Sequence, residues 1–152
     1  SITCMARVHY DGSFEVNKPR DVVYNFLIDP RNIASVMPGV ESVDVVDPDN
    51  FRVKASLGVG AIKGTVNVTA RFTEKKPPES AKVVGRGSGM QSTMDFEIGF
   101  RLEEAGPGRT RVNWYFDGNV GGLIGSMGAR VLDPVAQRIV QDSIEKLKQR
   151  LS

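Results

Sequence analysis

Residues 118–151 limit the folds open to this chain more than any other stretch. Ala136, Val140, Ile144, Leu147 and Leu151 recur at steps of four, four, three and four, which lines one face of a helix. Gly121, Gly125 and Gly128 recur at four and three, so the first part has a face almost bare of side chains. No charge falls between Asp117 and Arg130. Such a segment is packed at its bare, apolar start and half solvated at its amphipathic end. Asp133-Pro134 reads as a cap followed by a first-turn proline, because proline inside a continuous helix costs about 3 kcal/mol. The expected result is a kink or break at residues 130–134. Residues 136–151 then anchor, and residues 121–129 border whatever lies beneath and can move.

What lies beneath is read from the rest of the chain in order. Val8, Tyr10, Phe14 and Val16 share one parity and His9, Asp11, Ser13 and Glu15 the other, as in a half-buried strand. A short helix follows, capped by Asn17 or Lys18, with Pro19 in its first turn and Val22, Val23, Phe26 and Leu27 as its apolar face. It ends near Asp29, before Pro30. A second short helix runs from Pro30 through Ile33, Val36 and Met37 to Pro38-Gly39. Strands then dominate. Residues 43–46 form a short one before the turn Asp47-Pro48-Asp49-Asn50. Phe51, Val53, Ala55 and Leu57 alternate with polar neighbours up to a turn at Gly58-Val59-Gly60. Ile62, Val66, Val68, Ala70 and Phe72 form the cleanest strand. Residues 75–80 form a loop, and residues 81–90 a strand weakened by Gly85, Gly87 and Gly89. Met94, Phe96, Ile98, Phe100 and Leu102 mark the next strand, and Thr110, Val112, Trp114 and Phe116 the last, with a turn at residues 105–108 between them.

Short turns between alternating strands make antiparallel neighbours. One face of that sheet is apolar and must be covered, and only the C-terminal helix is long enough to do so. The expected fold is α+β: a curved antiparallel sheet of about six to seven strands gripping a long C-terminal helix, with two short helices after strand 1. The 152 residues suffice for one domain with a real core. No linker or repeat divides them, and residues 1–6 are expected to be frayed.

Four motifs in this order resemble the G-subunit family of carbon monoxide dehydrogenase. They are Pro19-Arg20-Asp21-Val22-Val23-Tyr24 with Asp29-Pro30, then Met37-Pro38-Gly39-Val40-Glu41, then Gly60-Ala61-Ile62-Lys63-Gly64, and lastly Gly121-Gly122-Leu123-Ile124-Gly125-Ser126-Met127-Gly128. The resemblance spans about residues 8–151 and implies the helix-grip (START-like, SRPBCC) superfamily, with an apolar cavity between sheet and helix. It also implies work beside molybdenum hydroxylases of the carbon monoxide dehydrogenase type, in assembly, in membrane recruitment or in handling a lipid-like or quinone-like ligand. Longer family members continue into a tail with a membrane anchor, which residues up to Ser152 do not include.

The residues themselves offer little catalytic chemistry. A net charge of +2, spread over scattered basic residues, does not suggest nucleic acid. The one cysteine, Cys4, allows no disulfide framework or CxxC metal site within one chain, which fits a cytoplasmic protein. The first residues lack a signal peptide's apolar run, and the longest uncharged run, residues 118–129, is shorter than the roughly 20 residues that span a bilayer. The only histidine, His9, falls on the polar parity of strand 1 and reads as a surface residue. Asp47, Asp49 and Asn50 have a spacing that suits a metal, but such clusters are more often turns. Asn67-Val68-Thr69 matches a glycosylation sequon, in mid-strand. Gly85, Gly87 and Gly89 mark a bend or a clearance for a ligand or helix, not a phosphate loop. Asp95, Glu97, Arg109, Arg111 and Asp117 fall on polar parities. No catalytic residue, metal or cofactor is assigned.

What remains is apolar. Phe26, Met37, Val66, Val68, Met94, Phe96, Trp114, Phe116, Leu123, Ile124 and Met127 are expected to converge between sheet and helix. A filled core is one outcome. Methionine, which adapts to variable shapes, and glycine, which leaves space, favour a cavity instead. Gly58, Gly60, Gly121, Gly122 and Gly125 are the candidate portal. Tyr24, Asn113, Tyr115 and Arg130 are candidate polar groups, although strand parity puts Asn113 and Tyr115 outside. Burying about 300 Å² of ligand at 25 cal/mol/Å² yields roughly 7 kcal/mol gross. Ordering costs reduce that to about micromolar affinity, which suits a carrier. The leading expectation is therefore a non-enzymatic carrier of an apolar small molecule, accessory to a molybdenum hydroxylase complex and in contact with the membrane periphery. The alternatives are an assembly or docking factor, and a cyclase-like or hydrolase-like enzyme.

Overall fold

A computed structural model describes residues 5–152; Cys4 lies outside the described residues. The elements are β1 (Met5–Val16), α1 (Arg20–Leu27), α2 (Pro30–Val36), β2 (Val40–Val45), β3 (Asn50–Val59), β4 (Ile62–Lys76), β5 (Ser80–Gly89), β6 (Ser92–Gly106), β7 (Arg109–Gly121), α3 (Gly122–Gly125) and α4 (Ala129–Arg150). All seven strands join one antiparallel sheet in the order β1-β7-β6-β5-β4-β3-β2. Consecutive strands from β2 onward pair as the short turns require, and β1 returns to close on β7, from Met5 opposite Gly121 to Val16 opposite Thr110. Met5 and Ala6 are therefore strand rather than frayed end.

The register places the expected apolar parities on one face. Val53, Val68, Gly87, Met94 and Val120 follow one another across the sheet, as do Phe72, Val83, Ile98, Phe116 and Tyr10. α4 covers this concave face. Its backbone comes near β1, β3 and α2, so it bridges the two sides of the sheet rather than lying on the middle strands.

Local chemistry sets the helix ends, and some differ from expectation. Asp29 caps α2, accepting a hydrogen bond from the Arg31 amide at 2.9 Å, and Pro30 opens that helix. α1 has Pro19 itself at its N-cap, with no side-chain cap from Asn17 or Lys18. Its buried face is Val23, Tyr24 and Leu27; Val22 is turned outward. The strands run further than their apolar alternation suggests. Gly58 and Val59 end β3, which moves the turn to Gly60-Ala61, and residues 118–121 complete β7.

The C-terminal segment breaks, but not at Pro134. α3 ends at Gly125, and α4 starts at Ala129 behind Gly128, whose φ of 78° lies in the region that glycine tolerates best. Pro134 sits inside an unbroken α4. It is in the second turn on the exposed side, where the carbonyl it leaves without an amide partner, that of Arg130, is within reach of water.

Candidate functional site

The buried side chains form two separate groups, one at each end of α4. At the C-terminal end, Val16, Val23, Tyr24, Leu27, Val36, Leu102, Val112, Leu147 and Leu151 pack together with Phe14, Phe26, Phe72 and Phe100 against them. Thr110 is 0% exposed there, and its hydroxyl donates to the Lys18 carbonyl at 2.7 Å. At the other end, Val59, Val120, Ile124 and Leu132 pack with Val8, Leu57, Met90, Met94, Met127, Val131 and Val135.

Between the two groups the inward-facing residues are apolar yet only half-buried. They include Val53, Val66 and Val68, then Val83, Phe96, Ile98, Trp114 and Phe116, with Ala136, Ile139, Val140 and Ile144 on α4. Among the described residues this middle stretch is covered less fully than the two ends, which leaves a partly open apolar hollow between sheet and helix. Phe96 and Phe116 stack along its floor, ring centroids 5.7 Å apart and planes at 13°.

The expected site residues divide accordingly. Val66, Val68, Phe96, Trp114 and Phe116 are half-buried on the inner face of this middle stretch. Met94, Ile124 and Met127 belong to the packed end beside α3, and Phe26 to the opposite one, where the Arg150 guanidinium lies 5.3 Å above its ring. Met37 and Leu123 do not join them: they are 38% and 40% exposed. Among the portal glycines, Gly58, Gly60 and Gly122 are exposed, whereas Gly121 and Gly125 are buried; Ile124, Met127 and Val131 close this end of the hollow as an apolar plug of the packed group.

Polar groups near the hollow are few. Tyr10 of β1 donates to the Asp133 carboxylate of α4 at 2.7 Å, which ties the helix to the sheet edge. Burial, and then this bond, push the Tyr10 phenol up to about 12. Tyr24 is buried, edge-on to Phe100 with centroids 5.9 Å apart. Asn113 and Tyr115 lie on the outer face, where Tyr115 crosses Gly99 and donates to Glu97 at 2.7 Å. Arg130 is exposed. Three buried polar atoms have no hydrogen-bond partner among the described residues: the Tyr24 hydroxyl, Trp114 Nε1 and the Ser143 hydroxyl. The sequence marks Tyr24 as a polar candidate and Trp114 as an apolar one. Ser143 escapes that reading, although a serine three residues after Val140 and four before Leu147 stands out on an apolar helix face.

The outer face carries the polar chemistry. His9 lies 2.5 Å from Asp117 through Nδ1 and 2.6 Å from Asp11 through Nε2. The bond to Asp117, then that to Asp11, raise its pKa. The Asp47 carboxylate accepts from the Asp49 and Asn50 amides at 2.8 and 2.9 Å and from the Asn50 side chain, which consumes it in a turn. No group of three or more potential metal ligands occurs among the described residues. No helix among them is long and apolar enough to cross a membrane.

A seven-stranded curved sheet, two short helices after β1 and a long C-terminal helix define the helix-grip, START-like class. A START superfamily protein from Mycobacterium smegmatis shares it, with a TM-score of 0.72 at 11% identity over 94% of this chain and 96% of that one. The sequence matches the family model of the carbon monoxide dehydrogenase G subunit (CoxG) over residues 12–152, and the chain belongs to that family. A conserved protein from Geobacillus kaustophilus is similar at TM-score 0.86 and 24% identity, over 95% of each chain. An aromatase/cyclase from a Streptomyces species is similar at TM-score 0.70 and 16% identity, over 96% of this chain and 94% of that one. No curated protein matches the sequence. Family and fold together suggest a ligand-binding or accessory role.

Proposed function

We propose that this protein is a non-enzymatic carrier of a lipid-like or quinone-like molecule, held in the hollow between the sheet and α4. The observation that carries the reading is the run of half-buried apolar side chains between two tightly packed ends. A protein interior is normally filled to crystal-like density. Apolar surface left open in mid-core is stabilised when an apolar guest covers it. The ligand enters past Gly60, Gly122 and the Met127 plug, where Leu123 is exposed and the chain is interrupted between α3 and α4. This end is also the one that would touch the periphery of a membrane from the cytoplasmic side.

Membership of the CoxG family supports a partnership with a molybdenum hydroxylase of the carbon monoxide dehydrogenase type, which the carrier would serve as an accessory. Against an enzymatic role stands the placement of the titratable groups. His9 is on the outer face, and the Asp133 carboxylate beside the hollow is already bonded to Tyr10. Native mass spectrometry of gently purified protein, followed by extraction, tests the proposal. The expected result is an apolar molecule bound one to one. Protein that arrives bare and takes up no apolar probe would contradict it and would favour a docking factor that acts by its surface.

A further inference from the structure

Resting on the carrier reading, which brings the ligand in at the α3 end, we infer that this end is a docking surface for an anionic lipid bilayer. The register gathers its parts. β1 starts where β7 ends, with Met5 opposite Gly121. The β3–β4 turn closes at Val59 opposite Ile62, and the β5–β6 turn at Gly89 opposite Ser92. The Leu123 amide of α3 donates to the Gln91 carbonyl at 3.0 Å, and a β-carbon at Gly60 would lie 3.9 Å from Val131 in the first turn of α4. Two strand turns, α3 and the start of α4 therefore share one end of the molecule.

Charge on this end is one-sided. Residues 5–10, 57–68, 85–94 and 118–132 contain no Asp or Glu. Arg7 lies two residues inside the start of β1, Lys63 is the second residue of β4 and Arg130 the second of α4. All three are exposed, and none has an ion-pair partner among the described residues. The carboxylates that border these segments are already engaged. Asp11 and Asp117 hold His9, Asp133 accepts from Tyr10, and Asp95 lies 3.8 Å from Arg86. Leu123 is 40% exposed on the same end, and Met5, opposite Gly121, is 56% exposed. Two such side chains are too little for the apolar core of a protein interface, which buries about 800 Å² per partner. A bilayer asks for less: isolated apolar side chains sink to the headgroup boundary while nearby cations meet anionic headgroups. A carrier seated this way passes its apolar guest to the bilayer without exposing it to water.

Sedimentation with vesicles of phosphatidylcholine alone, and of phosphatidylcholine mixed with phosphatidylglycerol, tests the surface. The wild type should bind the mixed vesicles at least about tenfold more tightly than the neutral ones, and less tightly as salt is added. Arg7→Gln, Lys63→Gln and Arg130→Gln should each weaken that binding by up to about 5-fold, and Leu123→Ser by about 3- to 10-fold. Lys148→Gln, about 27 Å farther along α4 than Arg130, should leave it unchanged. Uptake of the neutral dye N-phenyl-naphthylamine, measured without vesicles, should be unaltered in Arg7→Gln and Lys63→Gln. Equal binding to both vesicle types, binding to neither, or a loss in Lys148→Gln as large as in the other cation variants overturns the docking surface. Tight binding to polyglutamate that Leu123→Ser does not weaken, with no binding to vesicles, overturns it in favour of an acidic protein partner. Dye uptake without vesicle binding leaves the carrier standing and removes the bilayer; vesicle binding with the expected variant losses but no dye uptake supports the surface and removes the carrier.

Discussion

The ring of Phe96 lies across Gly85: a β-carbon at that position would overlap the ring's Cζ. The two residues are opposite one another on β6 and β5, and the lack of a side chain at 85 lets the ring stay low and stack on Phe116. The glycine is thus a clearance in the sheet for the Phe96 ring.

Gly85→Ala should push the Phe96 ring up into the hollow. The fold is expected to survive with a loss of about 1–3 kcal/mol in urea unfolding, and apolar dye affinity should drop in parallel. Unchanged stability with unchanged binding would show that the ring has another resting place.

The two packed ends and the open middle predict unequal costs of truncation. Leu147→Ala, in the C-terminal core, should cost about 2–5 kcal/mol. Ile98→Ala, facing the hollow, should cost about 1 kcal/mol, because its side chain is only half-buried to begin with. Chemical denaturation of both variants checks this. Equal, large losses would mean that the middle is packed as tightly as the ends.

Pro134 leaves the Arg130 carbonyl without its helical amide partner, yet α4 runs through it. Restoring the amide with Pro134→Ala should therefore stabilise the protein, by up to about 3 kcal/mol, as a rise in thermal midpoint. A fall would mean that the proline's rigidity matters more than the missing bond.

His9, the only histidine, gives a clean titration. Its folded pKa is raised above 6.5, first by the hydrogen bond to Asp117 and then by that to Asp11. The stabilisation linked to it is fully present below pH 6.5 and is lost as pH rises through the raised folded pKa. The imidazole proton resonances should titrate above 6.5 in the wild type and move down in Asp117→Asn. An unshifted midpoint would remove the bridge.

Much of this fold is legible in the residues because an antiparallel sheet with one wet face forces strict alternation. Val66 to Phe72 and Met94 to Leu102 announce both their strand and their inner side. The break in the C-terminal segment is harder to place, because Pro134 is a loud signal and Gly128 a quiet one. A proline near an exposed helix start is tolerated, whereas only the backbone angle of Gly128 shows that it ends one element and opens the next. Which apolar residues line the hollow is also hidden. Met37 and Leu123 look as apolar as Phe96 in the sequence, and only the chain path exposes them. The unpartnered state of Tyr24, Trp114 and Ser143 depends on what surrounds them in three dimensions, which periodicity does not encode.

The central claim is that the middle of this molecule is open to an apolar guest, and titration of wild type and Val68→Trp with N-phenyl-naphthylamine tests it most directly. Val68 faces the hollow from the centre of β4, so tryptophan there fills space rather than crowding a packed core. The prediction is saturable one-site binding at about micromolar affinity by the wild type, and at least roughly tenfold weaker binding by Val68→Trp at an undiminished thermal midpoint. Equal binding by both proteins, or a Val68→Trp variant that fails to fold because no space exists for the indole, would contradict the account.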